Sequence, residues 1–411
     1  MAQGAAPGRT ASNVQPRFIL AAAMVALLAA CGGGGGGTGE APLAATTAAQ
    51  VAAPAGTQAP GATPASPTPA PTAAPAQAVG VSVAAADVAN TTLAGNQSIR
   101  NVSALAGGGY AVTWSAAAGL FVQRYDAQGA KAGSETPIAG ASPDAAAAVL
   151  PDGTVVTASS EARGIVVRRG DGSEAVVATG AGVRQPVLLA LDDGGIAVGW
   201  AQMHPGNVQS QHAQRLDAQL RANGAPVDFA AGGAEQNVSL TLVAAPGGTF
   251  VAGVTHRWQG IGYVQYRIAG RDVGALADAN AGLPEFNTSL APLADGRFAL
   301  WSMGSGGAYL QLLDASGGAS GAPVRLAAAP ETGVALADGG WVTVTRQMYG
   351  LPSLAQRFDA SGNAVGAAVD AASGMSRPLV ASRVGSGFAL AWNFTGAMGD
   401  SDVRTQRIAA P

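Results

Sequence analysis

The chain has 411 residues, a formal net charge of −3 and only 11% charged residues. It carries no basic run, which leaves nucleic acid without an electrostatic foothold. A single cysteine excludes an intramolecular disulfide, and three histidines (His204, His212 and His256) argue against a histidine-rich metal site.

The first stretch is an address. Residues 1–17 contain Arg9 and Arg17 and no acid, and residues 18–28 form an apolar run too short for an ordinary membrane span. The run ends in Leu28-Ala29-Ala30-Cys31. This resembles the lipobox of bacterial lipoproteins, in which small residues precede a cysteine that becomes the lipidated N-terminus. The resemblance implies a signal peptide over residues 1–30 and acyl chains on Cys31, palmitate among them. Each buried methylene contributes roughly 0.8 kcal/mol, so several chains together anchor firmly. Gly32 stands where an Asp often retains such lipoproteins in the inner membrane, so the resemblance implies the outer membrane.

Residues 31–79 are expected to be a tether. Six glycines, Gly32 to Gly37, open it, and an Ala/Pro/Thr-rich tract follows with Glu40 as its one charge. Such a tract buries too little apolar surface to offset its ordering entropy. As a flexible chain it spans on the order of 40 Å.

From residue 80 the chain repeats. Val122-Gln123-Arg124-Tyr125-Asp126-Ala127-Gln128-Gly129 returns as Gln214-Arg215-Leu216-Asp217, as Gln311-Leu312-Leu313-Asp314 and as Gln356-Arg357-Phe358-Asp359. Gln265 and Gln406 begin partial copies, and Arg168 stands in a degenerate one with a shortened turn. The seven matched positions recur at a period of roughly 47 residues, which marks a repeat architecture. The degenerate second unit leaves six or eight as alternative counts.

One unit reads as four short strands. Asn101 opens the first; Tyr110-Ala111-Val112-Thr113-Trp114 has the aromatic and β-branched make-up of the second; Phe121 to Tyr125 is the third. Asp126-Ala127-Gln128-Gly129 is a turn, and Glu135 to Ile138 a weaker fourth strand. Pro137, Pro226 and Pro323 fall in fourth strands, and proline belongs on sheet edges. Trp114, Trp200, Trp301 and Trp392 stand five residues beyond Gly109, Gly195, Gly296 and Gly387, a stripe expected to pack between units. Ala158, Gly253 and Thr345 hold that position elsewhere. Four strands per unit predict an all-β fold, a seven-bladed β-propeller of four-stranded antiparallel blades over residues 80–411. The last unit lacks a fourth strand, so a segment near residues 89–95 is expected to complete it beside the C-terminal strand. The Gly/Trp and Gln-Arg-x-Asp motifs resemble those of bacterial extracellular propeller-like arrays over roughly residues 89–411. That resemblance implies architecture and no activity.

Chemistry is thinner. The Gln-Arg pair is expected to bond backbone, and Asp126, Asp217, Asp314 and Asp359 each stand alone in a turn, whereas calcium needs six or more converging oxygens. Where first strands enter the central funnel stand Asp144, Glu235, Glu285 and Glu331, with Arg100, Arg184 and Arg377. Two converging carboxylates would suit a glycosidase or lyase; a solvated mouth of mixed charge is the plainer expectation. No Ser-His-Asp order, zinc spacing or phosphate loop appears. Connections between second and third strands carry His256, Arg257 and Trp258, then Tyr349, His204 and Phe394, which suit sugar stacking or a protein contact. The sequence thus points to a monomeric, lipid-anchored envelope module, without cofactor, that binds a protein or glycan. A carbohydrate-active enzyme and a purely structural role are the alternatives.

Overall fold

Strand-forming residues and turn glycines alternate regularly along the chain, and the strands follow them. The computed structural model describes residues 80–91, 95–229, 236–245, 247–258, 261–269, 277–278, 287–304, 307–328, 330–345, 347, 351–373, 375–395 and 400–410. The lipobox, Cys31 and the tether lie outside them. Residues Ala74–Pro411 are one compact unit.

The described residues form an all-β, propeller-like fold of seven antiparallel sheets, with one short 3-10 turn at Pro205–Asn207. The first sheet joins Ser98–Ala104, Tyr110–Ala116, Gly119–Tyr125 and Thr136–Ile138 in that order. The second joins Ala146–Val149, Val155–Glu161, Gly164–Arg169 and Glu174–Ala178. The third joins Val183–Ala190, Ile196–His204, Val208–Leu216 and Val227–Phe229. The fourth begins with Gln236–Ala245, the fifth with Asn287–Pro292, the sixth with Pro330–Ala335 and the seventh with Met375–Val384. Each first strand lies beside the first strand of the next sheet, and that of the seventh lies beside Ser98–Ala104. Fourth strands form the opposite edge, and Pro137 sits on one, where its missing N–H leaves no ladder bond unmade.

The N-terminal segment does pair with the C-terminal strand Ser401–Ala409, but through earlier residues than expected. Ser82–Val83 and Asp87–Val88 carry the paired register, Ala89 N continues it to Val403 O at 2.7 Å, and residues 92–94 of the expected segment lie outside the described residues. Asn90 Oδ1 then accepts from Val403 N at 2.8 Å, and Tyr125 Oη donates to Asp87 Oδ2 at 3.1 Å. Burial pushes the Tyr125 phenol well above its ordinary pKa, and the Asp87 charge adds to this.

The Gln-Arg pair joins two levels of packing. Gln123 Nε2 donates to Gly133 O at 3.0 Å, Gln214 to Gly224 O at 3.0 Å, Gln311 to Gly321 O at 3.1 Å and Gln356 to Gly366 O at 3.3 Å. Each accepting glycine lies ten residues on and has positive φ, from 68° to 89°. In the seventh sheet Gln406 donates instead to Ala84 O at 2.7 Å, across 322 residues. The arginine reaches onward: Arg124 bonds Gly153 O in the second sheet at 2.9 Å, and Arg215 bonds Gly248 O beside the fourth at 2.8 Å.

The tryptophan stripe needs one correction. Trp114, Trp200 and Trp392 are buried and share a position, four residues beyond Tyr110, Ile196 and Phe388. In the fifth sheet Phe298, not Arg297, holds the Tyr110 place, because Gly296 matches Gly108 and not Gly109. Trp301 is therefore one residue out of phase and on the opposite face. It packs with Trp341 and Phe358 of the sixth sheet, over Gly333. The same offset moves the second sheet's equivalent position to Ser159, not Ala158, and in the fourth sheet the register puts His256 there, not Gly253, since Val254 pairs with Gln265 as Val112 pairs with Gln123.

Candidate functional site

Five of the seven first strands share an irregularity that prepares the site. The ladder slips between Ile99 and Asn101, Arg184 and Val187, Asn237 and Ser239, Pro330 and Thr332, and Ser376 and Leu379. The displaced residues include Arg100, Gln185, Glu331 and Arg377. A bulge bends its strand and re-aims one residue. Three of the charged funnel residues recognised in the sequence, Arg100, Glu331 and Arg377, therefore stand at bulges, a device found in five of the seven first strands.

Gln185 is the sharpest case. Its φ is 54°, left-handed backbone that costs a residue with a side chain about 1–3 kcal/mol. Pro186 follows and fixes the chain beyond it.

Arg100, Asp144, Ser142, Ser160, Gln185 and Gln211 line a mouth cavity of about 660 Å³ between the first three sheets. Arg100 donates to Pro143 O at 2.7 Å, so the arginine and the turn bearing Asp144 are tied together. A second cavity of about 550 Å³ runs along the first strands, lined by backbone-rich stretches around Asn101, Leu189, Leu242, Ala291, Val334 and Arg383. Asn101 Nδ2 donates to Leu188 O at 3.0 Å, linking the first and third sheets.

The other expected residues disperse. Arg184 turns to its own hairpin, where it meets Gln209 Oε1 at 3.3 Å. Glu331 is half-buried and does not line the mouth cavity that holds Asp144. Glu235, Glu285 and Tyr349 lie outside the described residues. His256, Arg257 and Trp258 belong to strand rather than loop, with Arg257 opposite Gly262 and Trp258 opposite Ile261. Phe394 is also on a strand, and the Arg404 guanidinium covers its ring at 3.4 Å from the centroid. That contact uses the face a sugar would need.

The hairpins between second and third strands are thus longer than expected, and one of them assembles chemistry the sequence did not suggest. Ser210 and His212 alternate onto one face of Val208–Leu216, His204 lies on the partner strand, and Asp228 stands directly opposite His212. His204 Nε2 is 2.8 Å from Ser210 Oγ, Ser210 Oγ is 2.8 Å from His212 Nε2, and His212 Nδ1 is 2.6 Å from Asp228 Oδ1. Trp200 stacks on the His212 ring at 5.5 Å. Chain order alone had excluded a Ser-His-Asp arrangement; cross-strand register supplies one. Among the described residues, no three His, Cys, Asp or Glu side chains gather as a metal-binding group.

The turn aspartates cap their own backbone. Asp314 Oδ1 accepts from Ser316 N at 2.8 Å and Gly318 N at 2.9 Å, and the Ser316 hydroxyl chiefly holds its carboxyl below the ordinary range. Asp126, Asp217 and Asp359 repeat the geometry. These carboxylates are occupied as turn acceptors.

No protein-family model matches the chain, and no curated protein does. Among solved structures, it is similar to a protein of unknown function from Dyadobacter fermentans, with 14% identity over 81% of this chain and 100% of that one, at a TM-score of 0.49. BBS1N in complex with ARL6DN gives 12% identity over 82% and 98%, at 0.49. The polysaccharide lyase Uly1 gives 10% identity over 78% and 91%, at 0.45. With every score under 0.5, none of these likenesses bears on what this chain binds or does.

Proposed function

We propose that residues 80–411 form a closed seven-bladed β-propeller, tethered through a lipidated Cys31 to the bacterial outer membrane, that binds a glycan at the channel mouth. The cyclic neighbourhood of the seven first strands supports closure. The bond from Gln406 to Ala84 supports an N-terminal strand in the place of a missing fourth strand.

The observation that carries the binding role is the mouth cavity. Arg100 and Asp144 present opposite charges, and hydroxyls and amides of Ser142, Ser160, Gln185 and Gln211 surround them. Such a lining offers many donors and acceptors for hydroxyl-rich ligands. A two-carboxylate hydrolytic mechanism is less well supported, because Glu331 does not share the cavity of Asp144.

The test is a glycan array with wild type and an Arg100→Gln, Asp144→Asn variant of equal melting temperature. Binding weakened at least tenfold in the variant supports the mouth as the site. Binding that survives unchanged rejects it, and capture of a protein alone replaces the glycan with a protein partner. Membrane fractionation of Cys31→Ser tests the anchor, with release into the soluble fraction expected.

A further inference from the structure

The geometry points to a second site, on the other face of the strand whose Gln211 lines the mouth cavity: Ser210 is a nucleophile for short-chain carboxylic esters, activated by His212, whose ring Asp228 orients.

One tautomer of His212 orders these hydrogen bonds as a relay toward Ser210. A carboxylate accepts only, so His212 Nδ1 donates to Asp228 Oδ1 at 2.6 Å. In the tautomer with the proton on Nδ1 alone, Nε2 keeps its lone pair and the Ser210 hydroxyl donates to it at 2.8 Å. That leaves the Ser210 oxygen as acceptor for His204 Nε2–H, also at 2.8 Å. The serine oxygen therefore has a base to take its proton and a second imidazole to support negative charge. Nucleophile, base and orienting carboxylate satisfy the distances that define an activated serine on any fold.

The surroundings set the roles and the substrate. Asp228 has a side chain 58% exposed, so its charge is screened and its part is to fix the His212 tautomer and ring. Trp200, 8% exposed, holds the ring from its flat side. Ser210 is 5% exposed, so only a small ester can reach its oxygen.

The step balances. The Ser210 oxygen forms a bond to the ester carbonyl carbon as its proton passes to His212 Nε2. The bond from that carbon to the alkoxy oxygen breaks, and His212 returns the proton to the departing alcohol. Water then attacks the acyl-serine with His212 as base, releasing the carboxylic acid and restoring the hydroxyl.

The full chain is treated with a small alkyl fluorophosphonate, and the adduct is located by peptide mass spectrometry. Release of nitrophenolate from p-nitrophenyl acetate is followed in parallel. Ser210→Ala and Asp228→Asn are compared with wild type at matched melting temperature; the exposed Asp228 makes the Asn variant structurally mild. We expect one adduct on the Ser210 peptide, none in Ser210→Ala, and labelling at least tenfold slower in Asp228→Asn. No adduct on Ser210, or a slowing of less than tenfold in Asp228→Asn, overturns the assignment.

Discussion

The first and second sheets are the same unit built on two different supports. In the first, Trp114 is 1% exposed, Gln123 is buried, and Gln123 Nε2 ties the third strand to the turn glycine ten residues on. In the second, Ser159 holds the Trp114 position and Arg168 holds the Gln123 position. The fourth strand begins at Glu174, so residue 178 lies inside it and there is no distant turn carbonyl to reach. Surface charge fills the gap. Arg163 grips Glu174 with two 2.7 Å bonds, and Arg168 bonds Glu161 at 3.0 Å. The pleat tolerates either support, but buried amides and aromatics resist salt and acid where exposed ion pairs do not.

The largest expected effect tests the aromatic support. Trp114→Ala removes a fully buried ring stacked at 6.0 Å on Phe121 and should cost about 3–5 kcal/mol in urea unfolding. Ser159→Ala, at the matching place, loses only half-exposed bonds to Glu161 and Arg168 and should cost no more than about 1 kcal/mol. A similar loss from both would abolish the contrast. Gly333→Ala sharpens it from the other face. A β-carbon there would lie 2.1 Å from Trp301 Cη2, so a penalty of about 1–3 kcal/mol is expected, relieved by Trp301→Leu.

The amide support comes next. Gln123→Ala removes the side-chain donor to Gly133 O, while Arg124 O keeps the Ala132 N–H, and should cost about 0.5–1.5 kcal/mol. Gln406→Ala should cost as much and also free the N-terminal segment, since Ala84 O and Ala372 N lose a shared partner. Limited proteolysis should then cut near residues 84–86 in Gln406→Ala and not in Gln123→Ala. Equal cutting in the two variants would mean that the clasp does not depend on this bond.

What the sequence disclosed follows from which interactions are local. Period, second and third strands, turn aspartates and edge prolines are set by neighbours in the chain, and all were visible. The Gln-to-glycine bond was half visible: Gln123 stood out, but its partner Gly133 became meaningful only once its positive φ was known. Trp301 was misplaced because Gly107, Gly108 and Gly109 offer three anchors for one alignment, and a slip of one residue changes the face. The bulges at Arg100, Gln185 and Glu331 left only a hint, charged or Pro-preceding residues at one repeat position. Ser210, His212 and Asp228 left less. The Ser-x-His alternation was legible, but the partner at residue 228 depends on the register of a three-residue strand.

The smallest effect concerns the charged support, and acid should isolate it. The Arg168 guanidinium, hydrogen-bonded to Glu161, holds that carboxyl down to about 2, against an ordinary 4.5. A carboxyl whose folded pKa is depressed stabilises the fold fully above its unfolded value, and the contribution fades as pH falls from about 4.5 toward 2. Glu161 keeps 31% of its side chain exposed, so solvent screens the pair and Arg168→Ala should cost roughly 0.2–1 kcal/mol at neutral pH. Wild type and Arg168→Ala should therefore converge in stability between pH 4.5 and 2, while Trp114→Ala keeps its deficit throughout. A gap for Arg168→Ala that persists at pH 2 would show that the arginine acts by packing its alkyl stem on the sheet, not by its charge.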